Sequence, residues 1–218
     1  MKIICLANSR KHSHHCVAGL STPEGAWVRP VSTLPDGALP REAILVDGRE
    51  PQLLEVLDVP LATGAARDFG FQPENRPLAG NAWKSDGAVS PFMALQWAEP
   101  LEYLLHSAGD RVPYSWLKAL PADQRRSLQL AHVWDISFRL HPTSKGGQQV
   151  RAVFTYAGAG GRRTRYNLVV TDPAVEARIR EGDRYRRHCL LTVSLGMPYP
   201  ADAREPDCYK LVAGVVEV

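Results

Sequence analysis

Residues 163–182 read RTRYNLVVTDPAVEARIREG, and this stretch decides the fold. Its first nine residues alternate: Arg163, Arg165, Asn167 and Val169 fall on one face, and Tyr166, Leu168 and Val170 on the other, which is the period of a strand with one wetted side. Asp172 and Pro173 then supply an N-cap and a first-turn proline for the helix AVEARIREG, and Gly182 stops it. Working outward, QVRAVFTY (149–156) precedes the stretch across the glycine-rich turn AGAGG, and VWDISFRL (133–140) precedes that across PTSKGG. Beyond the helix lie two more strand-like runs, HCLLTVSL (188–195) and CYKLVAGVVEV (208–218). Three strands, a helix and two strands are the element order of an OB-fold, a five-stranded Greek-key barrel.

The N-terminal half is less regular. KIICLA (2–7) reads as a strand, NSRKHSH as a polar loop, His15 to Leu20 as a second strand and STPEG (21–25) as a hairpin turn. The return strand AWVRPV is limited at Pro30, which cannot donate to a ladder. QLLEVLDVPL (52–61) reads as a further strand. Residues 62–90 lack periodicity and read as a long ordered loop, because Phe69, Phe71 and Trp83 bring burial that a disordered tract lacks. In PLEYLLHSAGD (100–110), Leu101, Leu104 and Leu105 share a helical face with Gly109 as the stop; PYSWLKALPADQRRS predicts a second short helix, broken at Pro121. The expectation is a mainly β chain with some α+β content: two OB-like β-barrels with short connecting helices. Residues 1–125 would form an irregular N-terminal barrel with a long loop and a helical connector, and 126–218 the C-terminal barrel.

The bulk numbers are those of an ordinary globular chain: 218 residues, 44% hydrophobic and 22% charged. No run of 18 apolar residues occurs, which argues against a transmembrane helix. The N-terminus MKIICLANSRK is too short in its apolar part for a secretory signal, so a cytoplasmic address is expected. Cys5, Cys16, Cys189 and Cys208 contain no C-x-x-C pair and each sits in an apolar run, as reduced core thiols do. The net charge is only +3, but Arg151 to Cys189 holds nine arginines against four acids and no lysine. The planar guanidinium fork suits phosphate better than a lysine does. A solvated sheet face with one salt-bridged helix would carry the same charges.

Three groups of residues could carry chemistry. On the arginine-rich strands, Arg165 and Asn167 share a polar face of the kind that an OB barrel offers to single-stranded nucleic acid, and that any half-exposed antiparallel sheet also shows. In the loop, Gln72, Glu74 and Asn75 could pair with base edges and Trp83 could stack a base; equally, the polar residues could turn the backbone while Trp83 fills the core. Near the N-terminus, Ser9, Lys11, Trp27 and Arg29 combine a hydroxyl, cations and an indole. The neighbouring His12, His14 and His15 would serve a metal site, general acid–base work on a phosphate, or only a solvated loop. No G-x-S-x-G, Walker or dinucleotide motif is present, and neither a metal, a cofactor nor a catalytic residue is assigned.

Taken together, Ser9-x-Lys11, Cys16-Val17-Ala18-Gly19, Trp27-Val28-Arg29-Pro30-Val31, Gln72-x-Glu74-Asn75 with Trp83 downstream, and Cys208-Tyr209-Lys210-Leu211-Val212 resemble the bacterial dual OB-containing domain family over nearly the whole chain. The resemblance implies two OB-like barrels and a nucleic-acid or nucleotide ligand, in a defence or stress setting, and it adds Tyr209 and Lys210 to the ligand contacts. The resulting expectation is a module without a cofactor that binds single-stranded nucleic acid or a nucleotide. Lys11, Arg29, Arg165 and Arg187 would meet phosphate, Trp27 or Trp83 would stack, and Gln72 and Asn75 would read base edges. Its alternatives are an enzyme using a histidine on a nucleotide phosphate, and a module that holds a protein partner.

Overall fold

A computed structural model describes residues 1–11, 13–64, 66–144, 146–183, 188–200 and 205–218. Strands β1 (Lys2–Lys11), β2 (His14–Ser21), β3 (Trp27–Val31), β4 (Glu55–Asp58), β5 (Asn75–Pro77) and β6 (Lys84–Ala88) form one sheet in the order β5-β3-β2-β1-β4-β6. β3 and β5 run parallel and the other neighbours antiparallel. The chain after β4 then turns back to the chain after β5 through the bridge Leu61↔Leu78, with Ala62 and Ala79 donating to Pro77 and Pro60 carbonyls at 2.8 Å, so the sheet curls toward closure.

The second sheet comprises β7 (Arg111–Pro113), β8 (Leu128–Val133), β9 (Ile136–Pro142), β10 (Gln148–Ala157), β11 (Arg163–Val170), β12 (Cys189–Leu195) and β13 (Asp207–Glu217). Its order is β8-β12-β13-β11-β10-β9, with β7 on β13. β8 and β9 are separated only by Trp134 and Asp135, and pair with β12 and β10 respectively, so one bent stretch bounds both edges and closes the barrel. The parallel pair β11–β13 repeats the β3–β5 relation of the first sheet. Both halves are OB-like barrels.

Several local expectations need correction. VWDISFRL is not one strand but the end of β8, a kink and the start of β9. The Leu101/Leu104/Leu105 periodicity does not build an α-helix. Leu105 has φ 39° and His106 φ 77°, and the Leu104 and Leu105 amides donate to Tyr166 Oη and Gln129 Oε1 rather than to a helical turn. Both leucines are nonetheless fully buried, so the apolar spacing reported burial rather than conformation. The helices are α1 (Pro91–Leu95), α2 (Tyr114–Ala119, ending before Pro121) and α3 (Pro173–Arg180). Asp172 Oδ1 accepts from Ala174 and Val175 amides, as the sequence predicts for an N-cap, and its Oδ2 accepts from Val215, tying α3 to β13. The 62–90 loop contains the short strands β5 and β6.

Each barrel has its own core, with Ile3, Cys5, Val17 and Leu57 in the first and Phe154, Tyr166, Leu168 and Val212 in the second. A third cluster joins them: Ile4, Leu6 and Leu20 pack with Leu130, Leu190 and Val216. The continuous apolar run IICLA thus has a physical cause, because β1 buries one face in its own barrel and the other against its neighbour. At this join Thr192 Oγ1 donates to the Leu6 carbonyl at 2.6 Å, and a Cβ on Gly214 would stand 2.2 Å from that same oxygen. Only a glycine permits the approach. The first barrel therefore lies on the outer face of β12 and β13, while the outward residues of β9, β10 and β11 are half-buried or exposed, with nothing from the first barrel laid over them among the described residues.

Candidate functional site: a cleft at the join

Where the first barrel's cover ends, a cleft of about 330 Å³ opens. Ser9, Cys16, Arg29 and Pro30 line it from β1, β2 and β3. Ser194, Tyr209, Leu211 and Ala213 line it from β12 and β13, with Thr171 just after β11. Gln72 comes from the long loop, and Met197, Pro198 and Tyr199 from the connection leaving β12. Alternation explains the convergence: Tyr209, Leu211 and Ala213 are every second residue of β13, on the face opposite Val212 of the barrel core.

The cleft wall is held by a polar network around Arg29, which is 6% exposed. Its Nη2 lies 3.3 Å from Glu74 Oε1 and donates to Ser194 Oγ at 3.3 Å, and its Nη1 donates to Asn75 Oδ1 at 3.3 Å. Glu74 also accepts from Ser127 Oγ. One guanidinium thus binds the loop, and through Ser194 the second barrel. Asn75 is spent structurally, since Nδ2 donates to the Arg67 carbonyl at 2.9 Å and to Gln72 Oε1 at 3.1 Å. Gln72 Nε2, by contrast, meets among the described residues only the Met197 sulphur, 4.0 Å away, which leaves an amide donor facing the cleft.

The remaining predicted residues separate. Trp83 is 4% exposed in the first core, so the stacking role expected for it is corrected to core filling; its Nε1 lacks a hydrogen-bond partner there. Trp27 packs half-buried against the join and borders a different groove, with Arg76, Arg125 and Arg126. Lys210 is 2% exposed, and its Nζ donates to the Ser107 carbonyl and hydroxyl and to the Gly109 carbonyl, so a ligand contact by Lys210 is replaced by a structural one. Burial pushes its pKa down to about 7, against a smaller upward pull from Asp110. Arg165 and Asn167 are exposed on β11 outside the cleft, and Asn167 Oδ1 accepts from Arg151 Nε at 2.8 Å. Lys11 closes β1 by its backbone, while His12 and Arg187 lie outside the described residues.

The other histidines turn elsewhere. His15 is buried, with Nδ1 3.0 Å from Asn8 Oδ1, and desolvation lowers its pKa against the upward pull of Glu50. Among the described residues no three His, Cys, Asp or Glu side chains gather as a metal site would require. All four cysteines are thiols, and Cys16 is the one at the cleft.

Sequence reasoning gives Asp36, Met197 and Tyr199 no notice, and notes Arg10 as a cation and Ser194 as a polar strand residue without assigning either to a site. Tyr199, 61% exposed between two prolines in MPYP, carried the one local signal: a large aromatic in a segment too stiff to fold over it.

A family model described as the dual OB-containing domain matches residues 1–215. The chain belongs to the dual OB-containing domain family. No curated protein and no solved structure matches it. For this dual OB chain the cleft gains weight from its composition: Ser9, Cys16, Arg29, Gln72 and Tyr209 come from five separate motifs, spaced along almost the entire chain, and meet at one opening. Among the described residues no helix is long and apolar enough to cross a membrane.

Proposed function

We propose that the cleft binds a nucleotide unit, as a free nucleotide or as part of a single-stranded nucleic acid. The observation that carries this reading is the chemistry around the opening: an exposed ring on Tyr199, an amide donor on Gln72, hydroxyls on Ser9 and Ser194, and the exposed guanidinium of Arg10 at the rim. An aromatic face suits a base, the amide and hydroxyls suit its edge and sugar, and the rim cation suits phosphate. Arg29 is already paired with Glu74, so its part is to shape the wall and not to neutralise phosphate.

Titration with the four ribonucleoside monophosphates and with a mixed-sequence single-stranded oligonucleotide tests this. Binding at low salt is expected to weaken as salt is added, and Tyr199→Ala is expected to cost about 1–3 kcal/mol of affinity. No binding at low salt, or binding indifferent both to salt and to Tyr199, would overturn it.

A further inference from the structure

The open face of the second barrel leads into the cleft. On β11 the outward residues follow in steps of two, Arg163, Arg165, Asn167 and Val169, and the next step is Thr171, which lines the cleft. Val169 is also paired with Leu211, another cleft residue. The alternation of the strand therefore makes one surface of what the sequence presents as two features. At ~3.3 Å per residue this path from Arg163 to Thr171 is roughly 26 Å long.

The charge along it is one-sided. β9, β10 and β11 contain no acidic residue, and Arg139, Arg151, Arg163 and Arg165 all point outward from them. Arg139 stands directly opposite Arg151, and Arg165 opposite Thr155. None of the four forms an ion pair with a described residue; Arg151 instead donates to Asn167, which orients its fork across the strand. Facing like charges destabilise a sheet unless something external neutralises them.

We infer that β11 and its neighbours form a track for the backbone of single-stranded nucleic acid, along which the polymer reaches the cleft. This rests on the cleft reading above and makes the ligand a polymer. The arginines take successive phosphates and the cleft takes one nucleotide unit of the same strand. A polymer is favoured over an isolated nucleotide because the cations continue some 26 Å beyond the cleft at ~3.3 Å per residue. A single strand is favoured over an acidic protein by the forked guanidinium donors and by a continuation that ends at an exposed aromatic ring.

Affinity for oligonucleotides of one to twenty residues, measured against salt, provides the test. Affinity is expected to climb with length and to level off within the roughly 4–16 nucleotides that an OB surface spans. The double variant Arg163→Gln/Arg165→Gln is expected to bind the long oligonucleotide at least tenfold more weakly and to flatten its log–log salt slope by about 1.4, at ~0.7 per phosphate contact. Thermal melting of that variant separates loss of the track from loss of the fold, and the exposed Arg139→Gln substitution provides a second, independent reduction. Mononucleotides binding as tightly as long oligonucleotides would overturn the track while leaving the cleft reading intact. Length-dependent binding that Tyr199→Ala does not touch would remove the cleft and, with it, the shared path. Poly-glutamate binding as tightly as an oligonucleotide of equal charge would overturn the choice of nucleic acid.

Discussion

Arg29 and Glu74 form an ion pair within the protein, 3.3 Å between Nη2 and Oε1, with side chains only 8% and 5% exposed. Glu74 takes its second bond from Ser127, and Arg29 its others from Asn75 and Ser194, so neither charge is left bare. Removing one partner leaves the other buried and uncompensated. Arg29→Met and Glu74→Gln are each expected to cost about 3–5 kcal/mol in urea denaturation. The double replacement Arg29→Met/Glu74→Leu should cost less than the two single changes added together; strict additivity would show that the pair does not act as a unit.

The cleft is addressable through a thiol. Burial pushes the pKa of Cys5, Cys189 and Cys208 up to about 12, whereas Cys16 lies partly exposed in the cleft wall. An alkylating reagent applied to the folded protein is expected to modify Cys16 first, by mass spectrometry, and a saturating oligonucleotide is expected to slow that reaction. First modification of Cys189 or Cys208 would contradict the burial of those strands.

Lys210 predicts a pH effect on stability. Its pKa is near 7 in the folded chain against an ordinary 10.5, so between those values the unfolded chain holds more protons and stability rises with pH. The cost of the buried ammonium is present in full below pH 7 and is relieved toward 10.5. Urea midpoints followed from pH 6.5 to 10 should rise in the native protein and rise less in Lys210→Met. Equal slopes would show that the three oxygens around Nζ hold the ammonium charged throughout.

Two aromatic residues should part company under mutation. Trp83→Ala is expected to destabilise by about 3–5 kcal/mol through loss of core packing. Tyr199→Ala, exposed in the loop after β12, should leave the melting temperature within a degree or two and act on nucleotide affinity alone. Calorimetry and binding measured on both variants check the pair; loss of affinity in folded Trp83→Phe would return the indole to the site.

These contrasts show which parts of the molecule are legible in its sequence. The β10–β11 hairpin, α3 and its Asp172 cap depend on neighbours within a few residues, and the residue types declare them. The kink at Trp134–Asp135 carries no glycine or proline, because closure of the barrel imposes it from a distance. Leu104 and Leu105 show helical spacing, but their amides are claimed by Tyr166 and Gln129, far along the chain. Within the site, Ser9, Arg29 and Gln72 stand out as polar groups in apolar surroundings. Trp83 stands out equally, and nothing local separates an indole that fills a core from one that stacks a base. Ser194 and Thr171 are unremarkable strand hydroxyls until the first barrel is laid across the second.

The approach of Gly214 to the Leu6 carbonyl has a consequence for how the chain can be divided. Tandem modules joined only by a tether can be cut apart and studied singly, but here backbone meets backbone with no side chain between them. Fragments divided ahead of β7 and of the Leu104–Leu105 turn, 1–98 and 99–218, made separately, would each present a sticky apolar flank, formed by Ile4, Leu6 and Leu20 on one and Leu130, Leu190 and Val216 on the other. Mixed together, they should reassemble into a stoichiometric pair, and a single methyl group at position 214 should be enough to keep them apart.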